Sequence, residues 1–99
     1  MSEYMESAIE KLEKIADKVE DEEIKQRIIK VNETLSQNRK KIWLRTKTGK
    51  PMAEGILKYS DNLVISINDQ SEIEEPLAEL EAKVKEIEEE SRRRSMVVT

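Results

Sequence analysis

The side chains best placed to do chemistry in this sequence are three acidic clusters: Asp21-Glu22-Glu23, Glu72 with Glu74-Glu75, and Glu88-Glu89-Glu90. Paired carboxylates work as acid and base when a concave, partly apolar pocket separates their pKa values. Consecutive acids on a helix point in different directions and face water, so capping and charge pairing are the favoured roles here. Ser36, Ser60 and Ser66 have no histidine to activate them, and no single lysine is marked out as a substitute base. The chain has no His and no Cys. That removes the commonest general base, the commonest metal ligand and the thiolate nucleophile. No catalytic residue, metal site or cofactor is expected, and the chain reads as non-enzymatic.

Binding chemistry is better represented. Residues 39–58 carry seven basic groups against one acidic, a net of +6, inside a chain whose total is −4. Arg39, Lys40, Lys41, Trp43, Arg45, Lys47 and Lys50 form a candidate surface for a partner or for nucleic acid. Cations there would contact phosphates, and Trp43 would stack on a base. The competing reading sets the same cations against the acidic helices of this chain or of a partner, and overall acidity favours it.

These residues must be positioned by a small body. Ninety-nine residues make a single domain, 1–99, that buries roughly 65% of its unfolded surface. A helical arm over 2–39 opens the chain. Met5, Ile9, Leu12, Ala16 and Val19 step by four and three, a seam for helix packing or for a dimer, thickened by Ala8 and Ile15. The register then breaks at Glu20-Asp21-Glu22-Glu23. Either Asp21 caps a new helix, making a hairpin or kink, or one long helix shifts register; the acidic start signal favours the first. Ile24, Ile28, Val31 and Leu35 resume the seam, broadened by Ile29.

Residues 42–68 read as a three-stranded antiparallel sheet, with strands at 42–48, 52–59 and 63–68. Turn residues lie at Thr48-Gly49-Lys50-Pro51 and Ser60-Asp61-Asn62, and Leu63, Ile65 and Ile67 alternate. Pro51 suits a strand start. A C-terminal helix follows over 75–94, with Pro76 at its first turn and Leu77, Leu80, Val84 and Ile87 as its seam. Residues 95–99 form a loose tail whose Met96-Val97-Val98 is apolar enough to seek a partner. The fold class is therefore α+β in the order α-α-β-β-β-α. Antiparallel pairing of the flanking helices would set Leu35 near Leu77 and Ile24 near Ile87. The first seam then needs a partner, and a homodimer, with an unidentified protein as further partner, is the expected outcome.

In the segments read as helix, eight Glu or Asp residues precede Lys or Arg by four positions, from Glu10/Lys14 to Glu90/Arg94, each pair worth roughly 0.2–0.5 kcal/mol when exposed. Dense Glu, Lys and Arg with few glycines point to heat adaptation. No apolar run exceeds three residues, so neither a membrane span nor a signal-peptide core is expected, and the chain reads as soluble and cytoplasmic.

Three resemblances accompany this reading. Trp43-Leu44 through Gly49-Lys50, Gly55-Ile56-Leu57, Tyr59 and Asp61-Asn62-Leu63-Val64 resemble the first half of an Sm-like RNA-binding barrel. Tyr59-Ser60-Asp61-Asn62-Leu63-Val64 leading into Glu79-Leu80-Glu81-Ala82-Lys83 is similar to a prefoldin beta-type subunit, and the α-β-β-β-α order to small dimeric nucleoid-associated proteins. The whole-chain profile (99 residues, dense charge pairs, no Cys or His) resembles the small orphan proteins of archaeal filamentous viruses of lipothrixvirus type. That last resemblance implies a hot habitat and a host-cytoplasmic location.

Overall fold

The computed structural model describes residues 3–97, and they form four helices. Helix α1 spans Glu3–Ala16, α2 Glu22–Asn38, α3 Lys50–Asn68 and α4 Glu74–Val97, with a 3-10 turn at Ile42–Arg45. Among the described residues there is no strand. The α+β expectation and the three-stranded antiparallel sheet at 42–68 are thus overturned. So are the coincident expectations of a strand start at Pro51 and of a half Sm-like barrel. Pro51 sits in the first turn of α3, where its missing N–H costs no hydrogen bond.

The physical reason lies at two residues. Ala53, Ile56, Ser60, Leu63 and Ile67 step by three, four, three and four, which is a helix seam; the first four are buried and Ile67 is partly so. A serine in the middle of that seam hides it from a hydrophobicity pattern. Ile65 meanwhile completes a false alternation with Leu63 and Ile67, and it stands 57% exposed. The β-branched residues Val64, Ile65 and Ile67 favour strands only weakly, and packing along the seam outweighs them.

The N-terminal arm is a hairpin. Asp21 is the N-cap of α2, its Oδ1 accepting from the Ile24 N–H at 3.2 Å, and Glu22 and Glu23 occupy the first turn, where the helix dipole favours acids. α3 ends in a Schellman arrangement: the Gln70 N–H donates to the Ile67 carbonyl and the Ser71 N–H to that of Ser66. Gln70 adopts the left-handed conformation, φ 56°, that this ending requires. α4 begins at Glu74, one residue before the expected start at Glu75, with Glu72 Oε1 accepting from the Glu75 N–H. The expected loose tail is helical as far as Val97. Residues 98–99, and the partner-seeking side chains of 96–98, lie outside the described residues.

Going round the bundle the order is α1, α2, α4, α3. α1 and α2 form one antiparallel hairpin, tied by Arg39 to Glu6. α3 and α4 form the other, shown by Tyr59 beside Lys83 and Thr48 beside Arg94. The hairpins meet with α2 parallel to α4: Arg27 reaches Glu74 and Glu81, while Asn38 accepts from Ser91 Oγ at 2.9 Å. The antiparallel pairing of Leu35 with Leu77 and Ile24 with Ile87 is therefore corrected to a parallel one. The chain reverses at the crossover after α2 and again between α3 and α4, and these two reversals leave α2 and α4 pointing the same way.

Two of the eight anticipated helix pairs form, Glu10–Lys14 and Glu90–Arg94. Arg27 leaves Glu23 and forks instead across the helices, bidentate to Glu81 at 2.6 and 3.1 Å and bonded to Glu74 at 2.7 and 3.0 Å. A planar guanidinium matches two carboxylates in this way. The core runs the length of the body with Met5, Leu12, Ile28, Leu35, Ile56, Leu63, Leu80 and Ile87 fully buried, each contributing roughly 1.5–3 kcal/mol through lost apolar exposure.

Candidate functional site

After Asn38 the chain must cross the end of the bundle to start α3 on the diagonally opposite corner. Residues 39–49 do this, and Leu44 holds them, 1% exposed against the end of the core. Thr46 locks the turn: its Oγ1 donates to the Trp43 carbonyl at 2.6 Å and accepts from the Gly49 N–H at 3.2 Å. Gly49 is buried so tightly that a Cβ there would overlap the Trp43 carbonyl oxygen and come within 2.8 Å of the Leu44 Cα. Glycine is required here for close backbone approach.

With Leu44 turned in, its neighbours are left outside. Lys40, Lys41, Arg45, Lys47 and Lys50 are exposed, and none has an ionic partner among the described residues. Ile42 stands among them, 73% exposed. No acidic residue occurs between Glu33 and Glu54. Arg39 is half-buried at the end of α2, its Nε 3.9 Å from Glu6. The C-termini of α2 and α4 both end at this pole, where cations oppose the negative ends of the helix dipoles.

Trp43 is placed differently from its neighbours. The Arg94 guanidinium lies 4.9 Å from its ring centroid and is itself held by Glu90 at 2.9 Å and Thr48 at 3.1 Å. Nε1 of the indole is buried without a hydrogen-bond partner among the described residues. One ring face is thus occupied by a cation–π contact, and the ring is a packing element of the crossover. Of the seven candidate residues five are exposed, Arg39 is half-buried beside Glu6, and the Trp43 ring is covered on one face by Arg94 rather than free to stack.

The sequence reading missed Arg92, Arg93 and Arg94. Their signal was present: a helix returning antiparallel along α3 must end beside the start of α3, so its terminal arginines join the crossover. Arg92 is exposed, whereas Arg93 is taken by Glu90 at 2.5 Å. Arg93 first, then Arg94, hold the Glu90 carboxyl below its usual range.

The other predicted set lies elsewhere. Met5, Ile9, Leu12, Ala16 and Val19 are all buried inside the bundle, between α1 and its neighbours α2 and α3. That seam needs no second copy to cover it. The acidic clusters at 21–23 and 72–75 stand at the far pole with Asp17, Glu20 and Asp69, on the first turns and loops of their hairpins. Hydrogen bonding from Arg27 holds the Glu74 carboxyl below the usual range. Among the described residues no three acidic side chains group so as to hold a metal ion.

The body is 46 Å long and about 20 Å across. Charges a body-length apart are screened, because the Debye length is ~8 Å at physiological salt. An approaching ligand therefore meets the local charge of this pole, where the cations of 39–50 and Arg92–Arg94 stand with Glu3, Glu6 and Glu88–Glu90, and not the net charge of −4.

Comparison with known protein families, with characterised proteins and with solved structures finds no match to this chain. Among the described residues, no helix is long and apolar enough to cross a membrane.

Proposed function

We propose that this chain is a non-enzymatic interaction protein that presents the cationic crossover 39–50 to an anionic macromolecule. The observation that carries this reading is the set of five exposed, unpaired cations gathered around Ile42. The half-buried Arg27 is matched by two carboxylates; these exposed cations have none among the described residues. An exposed apolar centre ringed by charge also has the arrangement of a protein-binding surface, whose apolar middle carries most of the energy. An acidic protein surface is accordingly the first reading of the partner.

Nucleic acid is the second reading, favoured by the electrical separation of the two poles. It would bind through phosphates, without help from Trp43, and so without base preference. Heat stability and a filamentous-virus origin belong to the same proposal and rest on composition alone.

The test uses the full chain with three probes: an acidic peptide carrying leucines, duplex DNA and single-stranded RNA, each titrated over a salt series. Binding that weakens with salt, and is lost in the Lys40→Glu, Lys41→Glu, Arg45→Glu, Lys47→Glu variant, is the expected result. Ile42→Ser should weaken the peptide and leave nucleic acid unaffected, which separates the two partners. No binding of any probe at low salt refutes the proposal.

A further inference from the structure

The outer face of α3 differs from the rest of the surface. Pro51, Glu54, Lys58, Asn62 and Ile65 form one exposed stripe at steps of three and four. Leu57 and Val64 are half-buried along its edge. α3 holds four charged residues in nineteen, where α4 holds thirteen in twenty-four. Glu54 and Lys58 are exposed, and neither has an ionic partner among the described residues.

Gly55 lies in the interior of this helix, where glycine weakens the fold relative to alanine. A Cβ built there meets nothing within 4 Å. The packing of the chain itself therefore does not call for glycine, in contrast to Gly49. Gly55 leaves the helix backbone bare at this point, which lets a second backbone approach closely.

We infer that α3 is the contact face of a symmetric homodimer in which two copies of the helix cross antiparallel, with the twofold axis at the level of Ile56. A twofold axis requires one patch to complement itself. This register does so: it sets Glu54 opposite Lys58 of the second copy, twice over. The two Gly55 backbones fall next to the axis, where missing side chains allow close approach. Because α3 runs from the cationic pole to the acidic one, antiparallel copies also lay unlike poles side by side. The inference uses a different face from the crossover and does not rest on its anionic partner.

The test is sedimentation equilibrium of the full chain over a concentration series at low salt, with no polyanion added. The parent chain is expected to form a reversible dimer. Glu54→Lys and Lys58→Glu should each raise the dissociation constant at least about tenfold, since each faces like charges across the axis, and the double variant should restore it. Gly55→Gln should abolish association while circular dichroism shows an unchanged helix content, because the free chain has room for the side chain. A monomer at every concentration overturns the inference. So does a dimer indifferent to these substitutions, or a double variant as weak as the singles. Polyanion binding by Gly55→Gln stays at the parent level, so the failure of either proposal is visible separately from the other.

Discussion

Replacing Ser60 by alanine should stabilise this protein. Ser60 is 0% exposed, sits at a seam position between Ile56 and Leu63, and its hydroxyl has no hydrogen-bond partner. Burying an unpaired hydroxyl costs about 1–3 kcal/mol on protein scales. Alanine removes that cost and is the better helix former by about 0.5 kcal/mol. The space vacated is a single oxygen, too small to open a damaging cavity. The net gain should be about 1–3 kcal/mol, which for a domain of this size raises the melting midpoint by roughly 4–8 °C per kcal/mol. Ser66→Ala is the control, since Ser66 is half-exposed and gains only the propensity difference. Urea and thermal unfolding followed by circular dichroism measure both, with an unchanged m-value showing that the folded and unfolded ensembles are the same. A Ser60→Ala protein that is less stable than the parent, or no more stable than Ser66→Ala, would refute the placement of this seam.

Three further outcomes follow from the same geometry. Gly49→Ala should destabilise by about 1–3 kcal/mol, read as a lower urea midpoint, because the new Cβ meets backbone that cannot yield. Gln70→Gly should raise the thermal midpoint by the equivalent of about 0.5–1 kcal/mol, since the left-handed conformation at φ 56° strains a side-chain-bearing residue, offset in part by the greater freedom of unfolded glycine. The carboxyls of Glu74 and Glu90 are held below their ordinary value of 4.5, by Arg27 and by Arg93 with Arg94 respectively. Their contribution to stability is thus complete above pH 4.5 and is lost as pH falls through the lower folded values. In Arg27→Met the Glu74 share should disappear, leaving a shallower acid limb in the unfolding free energy measured from neutral to acid pH.

The helices before residue 39 and after residue 74 were legible in the sequence because their seams are made of aliphatic residues at unbroken heptad-like steps. Asp21 was legible too, because acid clusters mark helix starts for a local electrostatic reason. α3 was not. Its seam passes through Ser60, and its one exposed isoleucine falls where it imitates a strand. Orientation was also hidden, because the parallel contact of α2 with α4 depends on the crossover, and a seam carries no information about direction. The cationic pole could be read from charge order alone, but its arginine members from α4 and the covering of Trp43 depend on which elements end together, a tertiary property. The burial of Met5, Ile9, Leu12, Ala16 and Val19 within one chain followed from α3 being a helix, which supplied the partner that a sheet would have left wanting.

The chain has a single tryptophan, and the crossover holds it at the cationic pole with a guanidinium over its ring. Indole emission is sensitive to a nearby cation and to water, so this residue is a built-in optical reporter at a known location. A ligand that engages the crossover and draws Arg94 toward itself would change the emission. A second copy settling on the middle of α3 would leave it unaltered. The emission of the unlabelled chain would therefore distinguish engagement of the crossover from association through α3.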